Sequence, residues 1–266
     1  MSDSDASPVD KKSKTDILAA QIEEGLDELE RPAGALFLSA ISAGLDIGFG
    51  PFFMAVVLTL VGGALPDPVT TLLVANAYTF GFVFVILGRT ELFTEHTTLA
   101  VLPVLDGRAS ARKLARLWGL VYVGNVLAGA VFATAMVVLA PAYGVVDPAA
   151  FAHLARPIVD HPPLVLLMGG VFAGWLMGLL SWLITAADST LSRIAFVWLV
   201  TMGIGLAHLP HSIAGNVEVL AAVLSSPAFG VSTYAGFLLL ATAGNVVGGT
   251  LFVALLKYGY VVRGEE

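Results

Sequence analysis

The chain has no cysteine and few charged residues, and both shortages narrow what it can be. Without a thiol among its 266 residues it has no disulfide, no thiolate metal site and no cysteine nucleophile. Charged residues make up only 12% of the chain and hydrophobic residues 57%. Because soluble domains carry about 25% charged residues, this surface is too apolar for water. We therefore predict an integral membrane protein in a lipid bilayer.

Other functional signatures are also missing. The net charge of −7 is acidic and indicates no basic surface for nucleic acid. The chain has no glycine-rich phosphate loop, no Ser-His-Asp context and no set of three metal ligands. We therefore expect no bound metal, no cofactor and no enzymatic activity, with a membrane enzyme as the least favoured reading.

The first 32 residues are polar and lack the apolar core of a signal peptide. Within them, apolar residues recur at helical spacing and predict a short amphipathic helix; they are Ile17, Leu18, Ile22, Leu26 and Leu29. This helix either lies along the surface or plugs the inner mouth of a pore, and residues 1–14 are predicted to be disordered. We predict an N-terminal tail (1–32), a transmembrane domain (33–260) and a C-terminal tail (261–266).

Six apolar stretches follow, at about 33–65, 70–105, 115–140, 163–187, 191–224 and 233–258. The second and fifth are much longer than the roughly 20 residues that cross a bilayer. Each has polar residues in its middle, around Glu91 in the second stretch and His211 in the fifth. Broken helices are tolerated inside a membrane only where protein or a water-filled path satisfies the freed backbone groups. We therefore predict that helices 2 and 5 are broken.

The broken segments occupy the same place in each half of the chain. Gly124-Asn125 in the third span also matches Gly244-Asn245 in the sixth. Three spans per half is an odd number, so the halves must be inverted relative to each other. Inverted repeats with paired broken helices predict a substrate site between the breaks, near the bilayer midplane.

The basic residues predict the orientation. With the N-terminus inside, Arg156 is the only one of 13 Lys and Arg that falls in an outer loop. Because positive residues favour the cytoplasmic side, both termini are predicted to be cytoplasmic. The chain is then a multi-pass protein of the plasma or inner membrane.

Several short motifs resemble the formate/nitrite transporter family. Glu91-Leu92-Phe93-Thr94 resembles the break in its second helix, and His211-Ser212-Ile213-Ala214 with Asn216 resembles the break in its fifth, here with Gly215 inserted. The two Gly-Asn pairs and Ile41-Ser42-Ala43-Gly44 fit its other helices. The resemblance covers residues 33–260. Gly88-Arg89-Thr90 and Glu95-His96 are most similar to the YfdC-type branch.

This resemblance implies an aquaporin-like all-α protomer, a homopentamer with one pore per protomer, and passage of small monovalent anions such as formate or nitrite, with or without a proton. It places His211 at the centre of the pore and Leu92, Phe93 and Thr94 in the loop that narrows the inner side. Apolar constriction residues would be Tyr78, Phe82 and Ile204.

Departures from the family pattern concern the substrate more than the fold. Pro210 stands where the family has Glu before the central His, and Gly174 where it has Asn on helix 4. Asp46 replaces an apolar residue in helix 1. Since a carboxylate lining the pore would repel anions, we expect Asp46 to be paired, protonated or outside the path.

The residues around the breaks suggest how an anion is bound. His211 acts either as a neutral hydrogen-bond donor or as a protonated partner that passes a proton on. Hydroxyls of Thr94, Thr97 and Ser212 and the half-helix ends supply further donors. His208 lies three residues before His211 and shares its face only if the backbone there is helical.

Other polar residues are predicted to hold the scaffold. Glu91 and Arg89 would fix the loop through hydrogen bonds and ion pairs, and Asn125 and Asn245 would hold broken backbone. A pore for a neutral or ammonium-type solute is the alternative function, and uptake of formate and nitrite against ammonium and glycerol would separate the two. The paired Asn-Pro-Ala signature of water channels is absent.

Overall fold

The computed structural model describes residues 12–264, and this part of the chain is entirely helical. The predicted disorder of residues 1–14 therefore falls mostly outside the described residues. The helices are α1 (Lys14–Glu30), α2 (Ala33–Asp46), α3 (Phe49–Val61), α4 (Asp67–Gly88), α5 (Phe93–His96), α6 (Leu102–Leu105), α7 (Ala111–Ala142), α8 (Ala149–Val159), α9 (Pro163–Ala186), α10 (Thr190–Leu206), α11 (Ser212–Ser225), α12 (Val231–Val247) and α13 (Leu256–Arg263), with a π-helix at Gly248–Leu255 between the last two.

Five helical segments of residues 12–264 are long and apolar enough to cross a membrane. They are Ala33–Val61, Asp67–Gly88, Ala111–Ala142, Pro163–Ala186 and Val231–Arg263. The predicted fifth span is not among them because it consists of two shorter apolar helices, α10 and α11. This is the break that the long apolar stretch with a polar centre predicted.

The first span is interrupted where no break was predicted. α2 ends at Asp46 and α3 begins at Phe49. Pro51 has no N–H to donate to the carbonyl of Ile47, four residues earlier. That carbonyl instead accepts the N–H of Gly50 at 3.0 Å. The helix is therefore tightened locally, with a hydrogen bond between residues three apart instead of four, and the first span is not divided into two.

α8 is a second addition to the predicted architecture. It lies in the connection between the third and fourth spans, which was expected to be a loop, and it packs against α11 and α3. Its apolar side buries Phe151, Leu154 and Ile158. The helix thus covers one end of the bundle. We call this end the α8 face.

α1 covers the opposite end. α9 begins just after α8, and near its other end Ser181 accepts a 2.9 Å hydrogen bond from Gln21 of α1. α1 buries Ile17, Leu18 and Ile22 in a cluster with residues of α6, α9 and α13. The amphipathic helix predicted from sequence is present and docks on the bundle. We call this end the α1 face.

The bundle is built from two helix pairs that approach closely. α2 packs on α7, and α9 packs on α12. Each contact depends on a glycine, because a Cβ on Gly44 would lie 2.6 Å from the backbone oxygen of Asn125, and one on Gly174 would lie 2.2 Å from that of Asn245. Small residues are what allow membrane helices to come this close.

Both broken helices turn through the same unusual backbone conformation. Arg89 ends α4 at φ 53°, and His208 follows α10 at φ 50°. They are the only non-glycine residues with positive φ in the described part of the chain. A left-handed residue other than glycine costs roughly 1–2 kcal/mol. Each break must therefore be stabilised by contacts elsewhere.

Two asparagine side chains provide those contacts. The Asn125 side-chain oxygen accepts the N–H of Phe93 at 2.8 Å, and its amide nitrogen donates to the carbonyls of Glu91 and Ala40, both at 2.8 Å. This one amide satisfies backbone groups on both sides of the first break and ties them to α2. We call this arrangement the asparagine clamp.

Asn245 repeats the clamp in the second half. Its side-chain oxygen accepts the N–H of Ser212 at 2.8 Å. Its amide nitrogen donates to the carbonyls of Pro210 at 2.9 Å and Gly170 at 2.8 Å. Every atom in this set has a counterpart around Asn125, so the two predicted repeats are confirmed at the level of single hydrogen bonds.

The clamp also relates Glu91 to Pro210. The N–H of Glu91 needs an acceptor and finds the Ser39 hydroxyl at 3.2 Å. Pro210 has no N–H, and the residue beside it is Gly169, where a Cβ would lie 2.8 Å from the proline ring. Gly169 stands where Ser39 stands in the first half, and it offers no hydroxyl to accept an N–H. Pro210, which departs from the family pattern, fits beside it because proline has no N–H to donate.

The sixth span contains the π-helix, and it faces the break of the second span. The carbonyl of Gly249 accepts a hydrogen bond from the Thr98 hydroxyl at 2.9 Å, and the Thr250 hydroxyl donates to the carbonyl of Thr97 at 3.0 Å. A wider helical turn frees carbonyls for such side-chain donors. The π-helix thereby anchors the segment after the first break.

We expect Gly174→Ala to disrupt the fold, because the added methyl would overlap the backbone of α12 rather than a movable side chain. Gly236→Ala is the matched control, since nothing lies within 4 Å of its would-be Cβ. Detergent-solubilised protein would be heated and followed by size-exclusion chromatography. Equal retention of the folded peak by both variants would contradict this packing.

We expect Asn245→Ala to lower thermal stability strongly, because it strips partners from the N–H of Ser212 and the carbonyl of Pro210. Each buried unsatisfied backbone group costs about 1–3 kcal/mol. Asn76→Ala is the control, because its side chain only accepts a hydrogen bond from Trp198 at the exposed surface. A melting temperature for Asn245→Ala that matches the control would argue against the clamp.

Candidate functional site

His211 lies in the second break, directly before α11. It is 1% exposed and forms the N-cap of α11, where Nδ1 accepts the N–H of Ala214 at 3.1 Å. Its Nε2 lies 2.8 Å from the hydroxyl oxygen of Thr94, which follows the other break. The side chain thus joins the two halves of the protein through a polar contact.

This geometry assigns the protonation state of His211. An Nδ1 that accepts a backbone N–H carries no proton itself, so in the neutral ring the proton is on Nε2. Nε2 then donates to Thr94, whose own hydroxyl hydrogen is left to donate elsewhere. Protonating Nδ1 would break the N-cap of α11. The hydrogen bonds favour the neutral donor over the proton carrier, the two roles left open by the sequence.

The hydroxyl groups of Ser212 and Thr97, also near the breaks, differ in whether they already have a hydrogen-bond partner. The Ser212 side-chain oxygen is buried and has no hydrogen-bond partner within residues 12–264. Thr97 donates instead to the carbonyl of Thr94 at 2.8 Å, so its hydroxyl hydrogen is engaged. Thr94 and Ser212 are therefore the hydroxyl donors available at this position, beside the N-terminus of α11.

Apolar side chains enclose this polar centre. The Phe82 ring meets His211 edge to face at 5.0 Å, and Tyr78 lies 5.0 Å beyond Phe82 along α4. Ile204 of α10 is fully buried, and a Cβ on its neighbour Gly205 would touch the Tyr78 ring. These three residues were predicted as a constriction, and the structure brings them together next to His211.

The predicted loop residues at the first break point in different directions. By the equivalence of the two clamps, Leu92 holds the position that His211 holds in the second half. The Phe93 ring packs against Tyr122 at 5.0 Å and Trp118 at 6.1 Å, both on α7. Phe93 therefore packs towards α7, whereas Thr94 contacts His211.

On the α1 face, Glu91 is the hub of a charged network. It forms an ion pair with Arg31, and its second oxygen lies 2.5 Å from His96 Nε2. Arg31 also pairs with Glu28 at 2.9 Å. Sequence reasoning placed Glu91 in a loop-fixing role but did not find Arg31, Glu28 or His96 as partners. The Arg31–Glu91 pair links residues 60 positions apart, which no local pattern reveals.

Arg89, the other predicted loop-fixing residue, is exposed, and its described contacts place it outside this network. Its role in the structure is conformational, as the left-handed residue that ends α4. Asp46 is half-buried on α2, and the hydroxyl of Ser42 donates to it at 3.3 Å. The expectation that Asp46 is paired, protonated or outside the path stays a prediction.

A cavity of about 120 Å³ is lined by residues of α3, α4, α8, α10 and α11. Its lining includes Tyr78 and Ile204, and the polar residues His208, His153 and Glu218. We call it the vestibule. His208 thus belongs to the vestibule rather than to the His211–Thr94 contact. Within residues 12–264, no group of three or more His, Cys, Asp or Glu could hold a metal ion.

Glu218 was missed by the sequence analysis. It is 7% exposed on α11, two helical turns after His211. The signal was available, because Glu218 is an isolated acid between valines in an apolar helix. Ionisable residues inside membrane helices are rare and generally functional.

The pKa of Glu28 predicts that α1 docks more tightly at low pH. Burial raises this pKa above 4.5, and the nearby Glu91 charge raises it further. The contribution to docking is then complete below about pH 4.5 and is lost as pH rises through the raised pKa. Hydrogen exchange of α1, corrected for the intrinsic effect of pH, should show protection that decreases towards neutral pH.

Glu28→Gln should remove most of this pH dependence while keeping an acceptor for Arg31. Glu23→Gln is the control, because Glu23 is exposed on the same helix and pairs with Arg108. Protection of α1 that depends on pH equally in both variants would assign the effect to other groups.

Comparison with known proteins places this chain in a family. A family model described as "Formate/nitrite transporter" matches residues 15–259. The inner membrane protein YfdC of Escherichia coli (strain K12) is 33% identical over 241 residues, which cover 90% of this chain and 76% of that protein. This similarity confirms the YfdC-like character noted in the sequence.

Two further proteins extend the comparison. Nitrite transporter NirC of Salmonella typhimurium is 30% identical over 240 residues, covering 86% of this chain and 84% of its own. A solved structure titled "Pentameric formate channel with formate bound" matches with a TM-score of 0.71 at 26% identity, covering 88% of this chain and 98% of that one. The predicted all-α membrane fold is confirmed, and the chain belongs to the formate/nitrite transporter family.

Proposed function

We propose that this protein carries small monovalent anions, or their weak acids, across the cell membrane through a path in each protomer. The observation that carries the proposal is the hydrogen bond between His211 and Thr94, which brings the polar groups of both breaks to one point. The family and the names of its members support the substrate class. They include a nitrite transporter and a formate channel.

The path runs from the vestibule, past the apolar constriction, to the His211–Thr94 pair and on to the α1 face. An anion at the pair accepts a hydrogen bond from the Thr94 hydroxyl. The Nε2–H of His211 donates to the oxygen of that hydroxyl and so makes it a stronger donor. The unpartnered Ser212 hydroxyl and the N-terminus of α11 add donors without a fixed cation. Binding is therefore weak, which rapid passage requires.

The apolar constriction determines which solutes cross. Tyr78, Phe82 and Ile204 are each at most 3% exposed and leave no charged partner for an ion in transit. Transfer of a bare anion past such side chains is unfavourable, whereas a neutral weak acid or a briefly desolvated monovalent anion crosses at lower cost. On this basis we place small weak-acid anions before larger or divalent ones.

Assembly and orientation are part of the same proposal. A homopentamer is supported by the pentameric formate channel that shares this fold. The basic residues favour a cytoplasmic α1 face, so the tail of residues 1–32 and the last residues, 261–266, lie in the cytoplasm and the transmembrane domain spans 33–260. The exposed apolar side chains of the protomer then face lipid or neighbouring protomers.

The first test is uptake into proteoliposomes at two pH values, with formate, nitrite, nitrate, acetate, chloride and hydrosulfide compared. Ammonium and glycerol serve as controls for the alternative of a cation or neutral-solute pore. Saturable uptake of small monovalent anions is expected. Uptake of ammonium or glycerol alone would leave the fold intact and overturn the proposed substrate class.

The second test separates the two possible roles of His211. His211→Ala should reduce flux by roughly 10²-fold or more, since it removes both the donor and the N-cap. His211→Asn should retain much of the flux, because Asn caps a helix well and still offers an N–H donor. His161→Ala, at an exposed site on the α8 face, is the control. Complete loss in His211→Asn, with an intact oligomer, would instead point to proton transfer by the imidazole.

A further inference from the structure

Glu218 is a buried carboxyl group in an otherwise apolar part of α11. α11 carries it two turns from His211, so both project from the same side of the helix, about 10 Å apart along the axis. The side chain is 7% exposed and lines the vestibule. No hydrogen bond or ion pair to its carboxyl group is found between residues 12 and 264.

Polar side chains share the vestibule lining with Glu218. They are Tyr78 on α4, His153 on α8 and His208 in the connection between α10 and α11. No lysine or arginine is among the described residues that line the vestibule. Thr70, also in the lining, has a buried hydroxyl without a partner. The carboxyl group and this hydroxyl both have hydrogen-bonding capacity left over for a solute.

A buried carboxylate without a lysine or arginine partner is unfavourable, so Glu218 holds its proton when the vestibule is empty. Glu218 is also the only carboxyl group among the described vestibule-lining residues. Beyond it, the path narrows at Tyr78 and Ile204, where an anion would be unaccompanied by positive charge. A proton acquired in the vestibule would let the solute enter the constriction as a neutral acid.

His211 is poorly placed to supply that proton. It lies beyond the constriction as seen from the vestibule, and its Nδ1 accepts the N–H of Ala214. Donating the Nε2 proton would leave a negatively charged ring, which no described cation near His211 would compensate. The proton for a solute entering from the α8 face must therefore come from the vestibule or from bulk water.

We propose that Glu218 is the proton-donating site of the vestibule, at which a small weak-acid anion becomes a neutral acid before it crosses the constriction. The O–H bond of the Glu218 carboxyl breaks as an O–H bond forms on the anion. The neutral acid moves on, and a hydronium ion from the solution that fills the vestibule returns a proton to the carboxylate and becomes water. This inference rests on the proposed function and adds the residue that couples the proton to the solute.

The experiment measures formate-driven proton influx into proteoliposomes that contain a pH-sensitive dye, between about pH 5.5 and pH 7.5. Glu218→Gln keeps the size and hydrogen-bonding ability of the side chain but cannot give up a proton. Its initial rate should fall roughly tenfold or more at the upper pH, since proton donors contribute about 10²–10⁴-fold to such steps. The deficit should shrink at lower pH, where solution supplies more of the neutral acid.

Two further variants keep the result interpretable. Glu218→Asp retains a carboxyl group and should stay much closer to the wild-type rate. Asp160→Asn makes the same change in charge at an exposed site on the α8 face, where Asp160 pairs only with Arg156 at 3.8 Å, and should leave the rate unchanged. All variants would be checked for an intact oligomer by size-exclusion chromatography.

The outcomes separate the two proposals. If the wild type carries formate and Glu218→Gln has the same rate as Asp160→Asn at every pH, the role of Glu218 is overturned and the proposed function stands. Equal loss in Glu218→Gln and Glu218→Asp would also overturn it, because the carboxyl group would then not be the feature that matters. Absence of flux for every small anion in the wild type would overturn the proposed function, and the inference with it.

Discussion

A helix that breaks inside a membrane exposes backbone groups that lipid cannot satisfy, and two asparagine side chains solve this problem here. Asn125 and Asn245 each accept one N–H and donate to two carbonyls, so that a single amide holds both sides of a break against the neighbouring helix. The rest of the site depends on this clamp. Without it, neither Thr94 nor His211 would have a fixed position.

The clamp is repeated, whereas the side chains that it positions are not. Leu92 and His211 occupy equivalent places, as do Glu91 and Pro210. The second half thus contributes the polar centre, and the first half contributes an apolar residue and a carboxylate directed towards α1. Duplicated backbone geometry with different side chains yields a path that is not symmetric along its length. The two faces consequently meet a solute with different chemistry.

The ionisable groups follow this asymmetry. On the α1 face, Glu91 is fully engaged by Arg31 and His96, and its role is to hold the docked helix against the break. On the α8 face, Glu218 lies in a cavity whose described lining includes no lysine or arginine. A paired carboxylate stabilises structure, whereas an unpaired one retains its capacity to bind or donate a proton. Burial alone does not distinguish these two carboxyl groups, and their partners do.

Much of this protein was readable from its sequence. Composition and the lengths of apolar stretches determined a membrane protein with six spans, and the polar centres of two overlong stretches determined the broken helices around Glu91 and His211. The paired Gly-Asn dipeptides indicated the repeat, and the motifs around the breaks indicated the family. These features are local, because span length and helix interruption depend on neighbouring residues and on the thickness of the bilayer.

Tertiary structure alone decided the contacts between distant segments. Whether Glu91 pairs with Arg31, whether Glu218 enters a cavity and whether His211 meets Thr94 depend on groups that lie far apart in the chain. The same holds for α8, whose apolar side has meaning only against α11. A hydrogen bond requires two groups within about 3 Å of each other. That proximity is set by packing of the whole bundle and leaves no periodic trace in the sequence.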